Sequence, residues 1–221
     1  FLKFKEKPKD GWPQIKEIKI IADKPEKLKK YLQEGVFIGE EVNNCRVLAN
    51  TPGSLMTPKK LAEEAKKAAK NLKIKTKIIG PKEMAKLKMG GILGVSSGSD
   101  EEPRVIIMEY GPANKKPIVF VGKGLTFDSG GLNIKPSEYM LEMHMDMSGG
   151  AAVICAIRLV ARLKLPIRII GIIPAAENMP SGSSYRPGDL LKTITGKTIE
   201  VLHTDAEGRI ILADALGYAQ K

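Results

Sequence analysis

Apolar positions recur along this chain with two different periods, and the switches between them mark out its elements. Residues 15–22, IKEIKIIA, alternate every second position and predict a strand. PEKLKKYLQEG follows as a short helix, with Pro25 at its start and Gly35 at its end. In VFIGEEVNNCRVLAN, residues 36–50, Val36, Ile38, Val42, Cys45, Val47 and Leu48 share a broad helical stripe. TPGSLMTP then breaks the chain, and helical and extended patterns alternate from there. Thr57-Pro58 opens a helix over 58–72, 73–79 is a strand, and PKEMAKL is a short helix. ILGVSS, RVIIMEY and PIVFVG at 117–122 predict strands, the last of them buried. SGGAAVICAIRLVARL, 148–163, is a helix with small residues at its start for close packing, and PIRIIGIIP, 166–174, is a second buried strand. GDLLKTITG and KTIEVLHT read as extended, and AEGRIILADALGYAQK closes as a helix with no stop signal. Helices alternating with buried strands predict an α/β fold, a sheet covered on both faces.

The 221 residues, 43% of them apolar, are enough for one large domain or for a domain and part of another. No apolar run reads as transmembrane; IRIIGIIPAA is the nearest and is too short. No membrane partner is expected. No signal peptide is visible; the chain begins with Phe1 rather than Met, so a fragment is expected. Cys45 and Cys155, each in an expected helix, read as free buried thiols, which suits a cytoplasmic location. The net charge of +11 lies mostly in the first half. Residues 1–110 carry 23 Lys and Arg against 15 Asp and Glu, and residues 111–221 carry 13 against 10. The lysines lie among acids and aromatics are few, so this excess reads as a solvated surface in preference to a nucleic-acid face.

Several short motifs fail on context. GVSSG places Ser96 in a nucleophile-elbow pattern, but a strand follows where a helix is required. GKT at 196–198 has Leu191 where a phosphate loop needs glycine, and GKGLTF lacks the third glycine of a dinucleotide fingerprint. His144 and His203 each stand two residues before an acid, but there is no HExxH and no second histidine nearby. Both read as supporting groups.

The acids are different. Asp128 follows the run PIVFVG in GLTFDSGG, Asp146 precedes the helix that opens Ser-Gly-Gly, and Asp205 and Glu207 lie before the last helix. All four stand at strand-to-helix junctions, where open α/β sheets bind ligands. Any one of them could be a helix cap or turn former. Four of them flanked by glycine, with Lys123 and Lys135 close by, point instead to an oxygen-rich metal site. Such a site suits hydrolysis by a metal-activated water.

VGKGLTFDSGGLNIKP, MDMSGGAAV, PAAENMPSGSSYRPGD and TDAEGR together resemble the leucine aminopeptidase (cytosol aminopeptidase) family of dinuclear metallopeptidases, over about residues 36–221. The resemblance implies a mixed central sheet with helices on both faces, the three-layer sandwich of aminopeptidase/phosphorylase-like folds, with its C-terminal part missing here. It implies residues 1–35 as the tail of an N-terminal α/β domain, 36–50 as a linker helix, and 51–221 as the N-terminal portion of the catalytic domain. Lys123, Asp128, Asp146, Asp205 and Glu207 resemble the ligands of two divalent ions, zinc or manganese, with magnesium or cobalt also admitted. Lys135 and Arg209 resemble the catalytic pair, Lys135 also touching substrate and Arg209 holding a bicarbonate-like anion. Met143 matches a position against the substrate's first side chain. The family usually reads NTDAEGR, and this chain departs from it at His203.

The activity so implied is release of N-terminal residues, preferably leucine or another hydrophobic one, from peptides by a two-metal-activated water. The complete protein would be a cytoplasmic homohexamer. A DNA-binding or regulatory member of the family, or an inactive fragment, is the alternative reading.

Overall fold

A five-stranded mixed sheet forms the middle layer, built from the apolar runs of period two. The computed structural model describes residues 5–12 and 15–221; residues 1–4, 13 and 14, part of the expected N-terminal tail, lie outside the described residues. The strands are β1 (Ile74–Ile79), β2 (Arg104–Tyr110), β3 (Ile118–Val121), β4 (Gly124–Asp128) and β5 (Ile169–Asn178). β1, β2 and β5 run antiparallel in sequence, with Ile106 opposite Ile78 and Ile173. β3 and β4 both run parallel to β5, β3 beside Ile169–Ile172 and β4 beside Ala175–Asn178. A separate hairpin pairs β6 (Leu190–Lys192) with β7 (Thr198–Glu200).

Period-two side chains feed two cores. On one face Ile106, Met108 and Ile173 pack with Ala49 of α1 (Pro25–Ala49), Leu61 of α2 (Pro58–Ala69), and Ile154 and Ile157 of α6 (Ser148–Arg162). On the other, Val105, Leu125 and Ile172 pack with Met84 of α3 (Pro81–Leu87), Ile92 and Val95 of α4 (Gly90–Val95), and Ile210 and Ile211 of α7 (Glu207–Ala219). Each fully buried Ile or Leu contributes about 1.5–3 kcal/mol. The short α5 (Ser137–Met140) lies between β4 and α6. This is the expected three-layer arrangement of a mixed sheet between helices.

Several local expectations are corrected. The two helices expected over 25–50 are one continuous helix. A Cβ at Gly35 would meet nothing within 4 Å, and the glycine does not stop the helix, since a lone glycine costs only about 1 kcal/mol there. Residues 15–22 form no strand, and Ile15, Ile18 and Ile21 are exposed; alternation alone makes no strand without a partner. ILGVSS is helical, as α4 and a 3-10 turn at Ser96–Gly98. α4 tolerates its glycines because it lies tight on α7, where a Cβ at Gly91 would meet the Ile210 carbonyl oxygen at 2.8 Å. β3 is only half-buried: Ile118 and Phe120 are exposed, and among the described residues no strand covers this edge. The stretch Ser137–Arg162 is apolar enough, by length and composition, to cross a membrane. It comprises α5, a 3-10 turn and α6, and α6 buries its apolar face in the first core.

Candidate metal centre

Lys123 sits at a break between two strands. β3 ends at Val121, β4 begins at Gly124, and both run beside β5, so Gly122 and Lys123 form an interruption in one long edge. The start of α6 presses onto this break. The Gly150 N–H donates to the Lys123 carbonyl at 2.7 Å, and a Cβ at Gly122 would lie 2.4 Å from the Gly149 carbonyl oxygen. Only glycine admits that approach. The Lys123 side chain is therefore aimed at the acids beside α6 and α7.

Asp128 is the last residue of β4 and is 1% exposed. The chain leaves it through a tight turn in which Gly130 adopts φ +87° and donates its N–H to Asp128 Oδ1 at 2.9 Å. The loop returns Lys135 to the site, where its Nζ lies 2.9 Å from Asp128 Oδ2 and also pairs with Asp205. Asp146 follows the 3-10 turn Met143–Met145, just ahead of α6. Asp205 stands in the 3-10 turn Thr204–Ala206, and Glu207, 2% exposed, opens α7.

Asp128, Asp146 and Glu207 each offer one oxygen, and these three oxygens lie within 4.8 Å of one another. Lys123 Nζ bridges two of the acids, 2.6 Å from Asp146 Oδ2 and 2.7 Å from Glu207 Oε1. Asp205 is tied to the group through Lys135. The five expected ligands and Lys135 thus share one site. Glu207 Oε2 is buried with no hydrogen bond, while Asp146 Oδ2 meets only the Lys123 ammonium. A buried carboxylate oxygen lacking a donor is costly unless a cation meets it, and three acid oxygens converge here, so this donor set fits divalent ions.

The site's titration follows from burial against pairing. Burial disfavours the Lys123 ammonium, but its hydrogen bonds to Asp146 and Glu207 outweigh that and hold its pKa above an ordinary lysine. Lys135 is raised in the same way by Asp205 and Asp128. Burial pushes Asp146 and Glu207 above the usual carboxylate range, only partly offset by Lys123.

Arg209 is exposed and, among the described residues, forms no ion pair. With His203 and Asp205 it lines a cavity of about 520 Å³. Met143 is half-buried in the turn before Asp146. His203 caps the 3-10 turn, its Nδ1 accepting the Asp205 N–H at 3.2 Å. His144 is half-buried in the same turn as Met143. Ser96 is buried at the end of α4 and donates to the Leu93 carbonyl at 3.2 Å, so it is no exposed nucleophile. Cys45 and Cys155 are free, the first half-buried and the second buried, with burial chiefly pushing the Cys155 thiol up to about 12.

Sequence reasoning missed a polar layer behind the acids. Asn178 is fully buried and donates to Asp128 Oδ1 at 2.9 Å and to the Thr204 carbonyl at 3.0 Å. Tyr185 donates its hydroxyl to the same carbonyl at 2.5 Å, and burial with the nearby Glu207, Asp128 and Asp205 raises its pKa. The available signal was a polar residue closing the apolar run IIGIIPAAEN. Asp214 was also missed. It is fully buried and accepts the N–H groups of Ile92 and Ile194 at 2.9 and 2.8 Å.

Comparison with known proteins supplies context for this geometry. Residues 43–221 match the family model described as cytosol aminopeptidase family, catalytic domain. A probable cytosol aminopeptidase of Roseiflexus castenholzii is 48% identical over 100% of this chain and 46% of its own length. One from Nitrosococcus oceani is 50% identical over 86% of this chain and 38% of its own. Among solved structures, the cytosol aminopeptidase from Coxiella burnetii matches with a TM-score of 0.84 and 38% identity, over 86% of this chain and 42% of that one. The bottromycin maturation enzyme BotP in complex with Mn matches with a TM-score of 0.81 and 38% identity, over 85% and 41%. The chain thus spans less than half the length of these relatives.

Proposed function

The chain belongs to the cytosol aminopeptidase family, and on that premise we propose that it carries the metal-binding part of an aminopeptidase. The reaction is release of the N-terminal residue of a peptide, with leucine or another hydrophobic residue preferred. The observation that carries this reading is the convergence of Asp128, Asp146 and Glu207 within 4.8 Å, with Glu207 Oε2 buried without a hydrogen bond.

Lys123, Asp128, Asp146, Asp205 and Glu207 are the groups that would hold two divalent ions. Bound there, such ions supply Lewis acidity that brings a water towards hydroxide near neutral pH. Manganese is the first metal to try, since BotP is described in complex with Mn; zinc, magnesium and cobalt suit the same donors. Lys123 serves as a ligand only after giving up its proton. Lys135, held as an ammonium beside Asp128 and Asp205, is placed to hydrogen-bond the scissile carbonyl and to stabilise the oxyanion as it forms. Arg209, with no carboxylate partner among the described residues and a cavity before it, suits a planar bicarbonate-like anion that passes a proton to the leaving amine. Met143 is proposed to line the space for the first side chain.

The organisation proposed with this activity makes 1–35 the tail of an N-terminal domain, 36–50 part of a linking helix, and 51–221 the start of the catalytic domain. The greater length of the relatives supports it. The complete protein is proposed to be a cytoplasmic homohexamer, as the family resemblance implies. The test is release of p-nitroaniline from leucyl-p-nitroanilide by the full-length protein, with Mn²⁺ or Zn²⁺ added and after chelation. Metal-dependent release, abolished by chelator and by Glu207→Ala, is expected. Release indifferent to chelation, or none from metal-loaded protein, would sink the reading.

A further inference from the structure

The carboxylates of the site come from segments far apart in sequence, and one residue outside the ligand set joins two of those segments directly. Asn178 closes β5 with its side chain completely buried. Its amide nitrogen donates to Asp128 Oδ1 at 2.9 Å and to the Thr204 carbonyl at 3.0 Å. Both partners are acceptors, so the amide orientation is settled by chemistry: the reverse would set oxygen against two oxygens. The Asn178 main chain holds the same place, its carbonyl accepting the Ser129 N–H at 3.0 Å and the Ser129 hydroxyl at 2.7 Å.

Each arm of the amide ends on a group that sets a ligand. Asp128 Oδ1 takes the Asn178 and Gly130 donors, which pins the carboxylate rotation and directs Oδ2 toward Lys135. Thr204 is the residue before Asp205, and every polar group it has is engaged. Its carbonyl accepts from Asn178 and from the Tyr185 hydroxyl at 2.5 Å. Its hydroxyl donates to the Gly130 carbonyl at 2.6 Å and accepts the Asn133 N–H at 2.8 Å, and its N–H donates to Asn133 Oδ1 at 2.8 Å. The peptide that carries Asp205 therefore has a single orientation. Asn178 Oδ1, by contrast, is buried without a hydrogen bond, and a Cβ at Gly131 would stand 2.8 Å from it. An amide kept for packing alone would be expected to satisfy both ends. Here the satisfied end is the one that reaches the site.

We propose that Asn178 is a positioning residue for the metal centre: through its amide nitrogen it presets Asp128 and the Thr204–Asp205 peptide relative to each other, with Tyr185 as the second support of that peptide. The inference rests on the metal-site reading above and adds to it a residue that touches neither ion nor substrate. Partners that orient a metal ligand are typically worth about 10–100-fold in metal affinity.

The experiment measures the Kd for Mn²⁺ by titration calorimetry and by loss of the free-ion EPR signal, on full-length wild type, Asn178→Leu and Tyr185→Phe. Leucine keeps the branched shape of asparagine at a somewhat larger volume and removes both polar ends. Metal-free melting is recorded alongside. Asn178→Leu is expected to bind Mn²⁺ about 10–100-fold more weakly. Tyr185→Phe removes one of two donors to the Thr204 carbonyl and is expected to lose less, roughly threefold to tenfold, as for one hydrogen bond. A lower metal-free melting temperature with an unchanged Kd would make Asn178 a structural amide only and overturn the proposal. If Asn178→Leu does not fold, Tyr185→Phe decides, and an unchanged Kd overturns it. No Mn²⁺ binding by the wild type would overturn the metal-site reading itself, an outcome distinct from wild-type binding that Asn178→Leu leaves intact.

Discussion

Two lysines stand inside the carboxylate cluster as ammoniums, and their parts are separable. Lys123 bridges Asp146 and Glu207, while Lys135 bridges Asp128 and Asp205. If Lys135 acts on the substrate carbonyl, Lys135→Ala removes a positive charge that competes for the acids, so Mn²⁺ affinity should hold or improve. Turnover should fall by about 10²–10³, the scale for a lost oxyanion donor. Kd by calorimetry beside kcat on leucyl-p-nitroanilide checks both halves, and loss of metal together with turnover would refute the assigned role. Glu207→Ala makes the contrast. It deletes a 2% exposed carboxylate that belongs to the three-acid group, and Mn²⁺ binding should disappear with activity. These six charged residues were legible in the sequence because glycine-flanked acids recur at its strand-to-helix junctions. Asn178 and Tyr185 lie in the motif PAAENMPSGSSYRPGD, but their roles were not legible there, since a polar residue ending an apolar run has many explanations until its partners are seen.

Among the elements, α7 depends on more than its apolar face. Asp214 lies on it, fully buried, and its two oxygens accept the Ile92 N–H of α4 and the Ile194 N–H beyond β6. Burial raises its pKa, partly offset by those backbone donors. Asp214→Asn would set an amide N–H₂ against one of the backbone donors, and a cost of about 1–3 kcal/mol in denaturant unfolding is expected. A change below about 0.5 kcal/mol, the range of an ordinary surface substitution, would show the staple to be unimportant. The misread elements share a physical cause. ILGVSS is too short for its period to separate strand from helix, and close packing of Gly91 on α7 and of Gly94 on Leu191 selects the helix. Gly35 looked like a stop, yet α1 runs through it and beyond to pack Ala49 into the core and set Glu41 against Arg158 and Arg162 of α6.

For the molecule as a whole, metal binding should be coupled to folding. The acids at 128, 146 and 207 meet only when β4, α6 and α7 are assembled, so an ion that binds them favours the folded state. Mn²⁺ at a hundred times its Kd should add about 2.7 kcal/mol and raise Tm by on the order of 5–10 °C. Melting with Mn²⁺, and again after EDTA, checks this. A Tm indifferent to both would mean that no ion binds the folded site preferentially.

By itself the sequence determined the layered α/β class, most helices and strands, the charged residues of the site and, through its motifs, the family. These are local matters: hydrophobic period, turn residues, and acids next to glycine. Tertiary structure alone decided which lysine faces which acids, that β3 and β4 share one neighbour with Lys123 at the break, and that Asn178 ties Asp128 to Thr204. Each of those depends on distances between segments remote along the chain. Such distances are set by how helices and sheet pack, a property that no single segment carries.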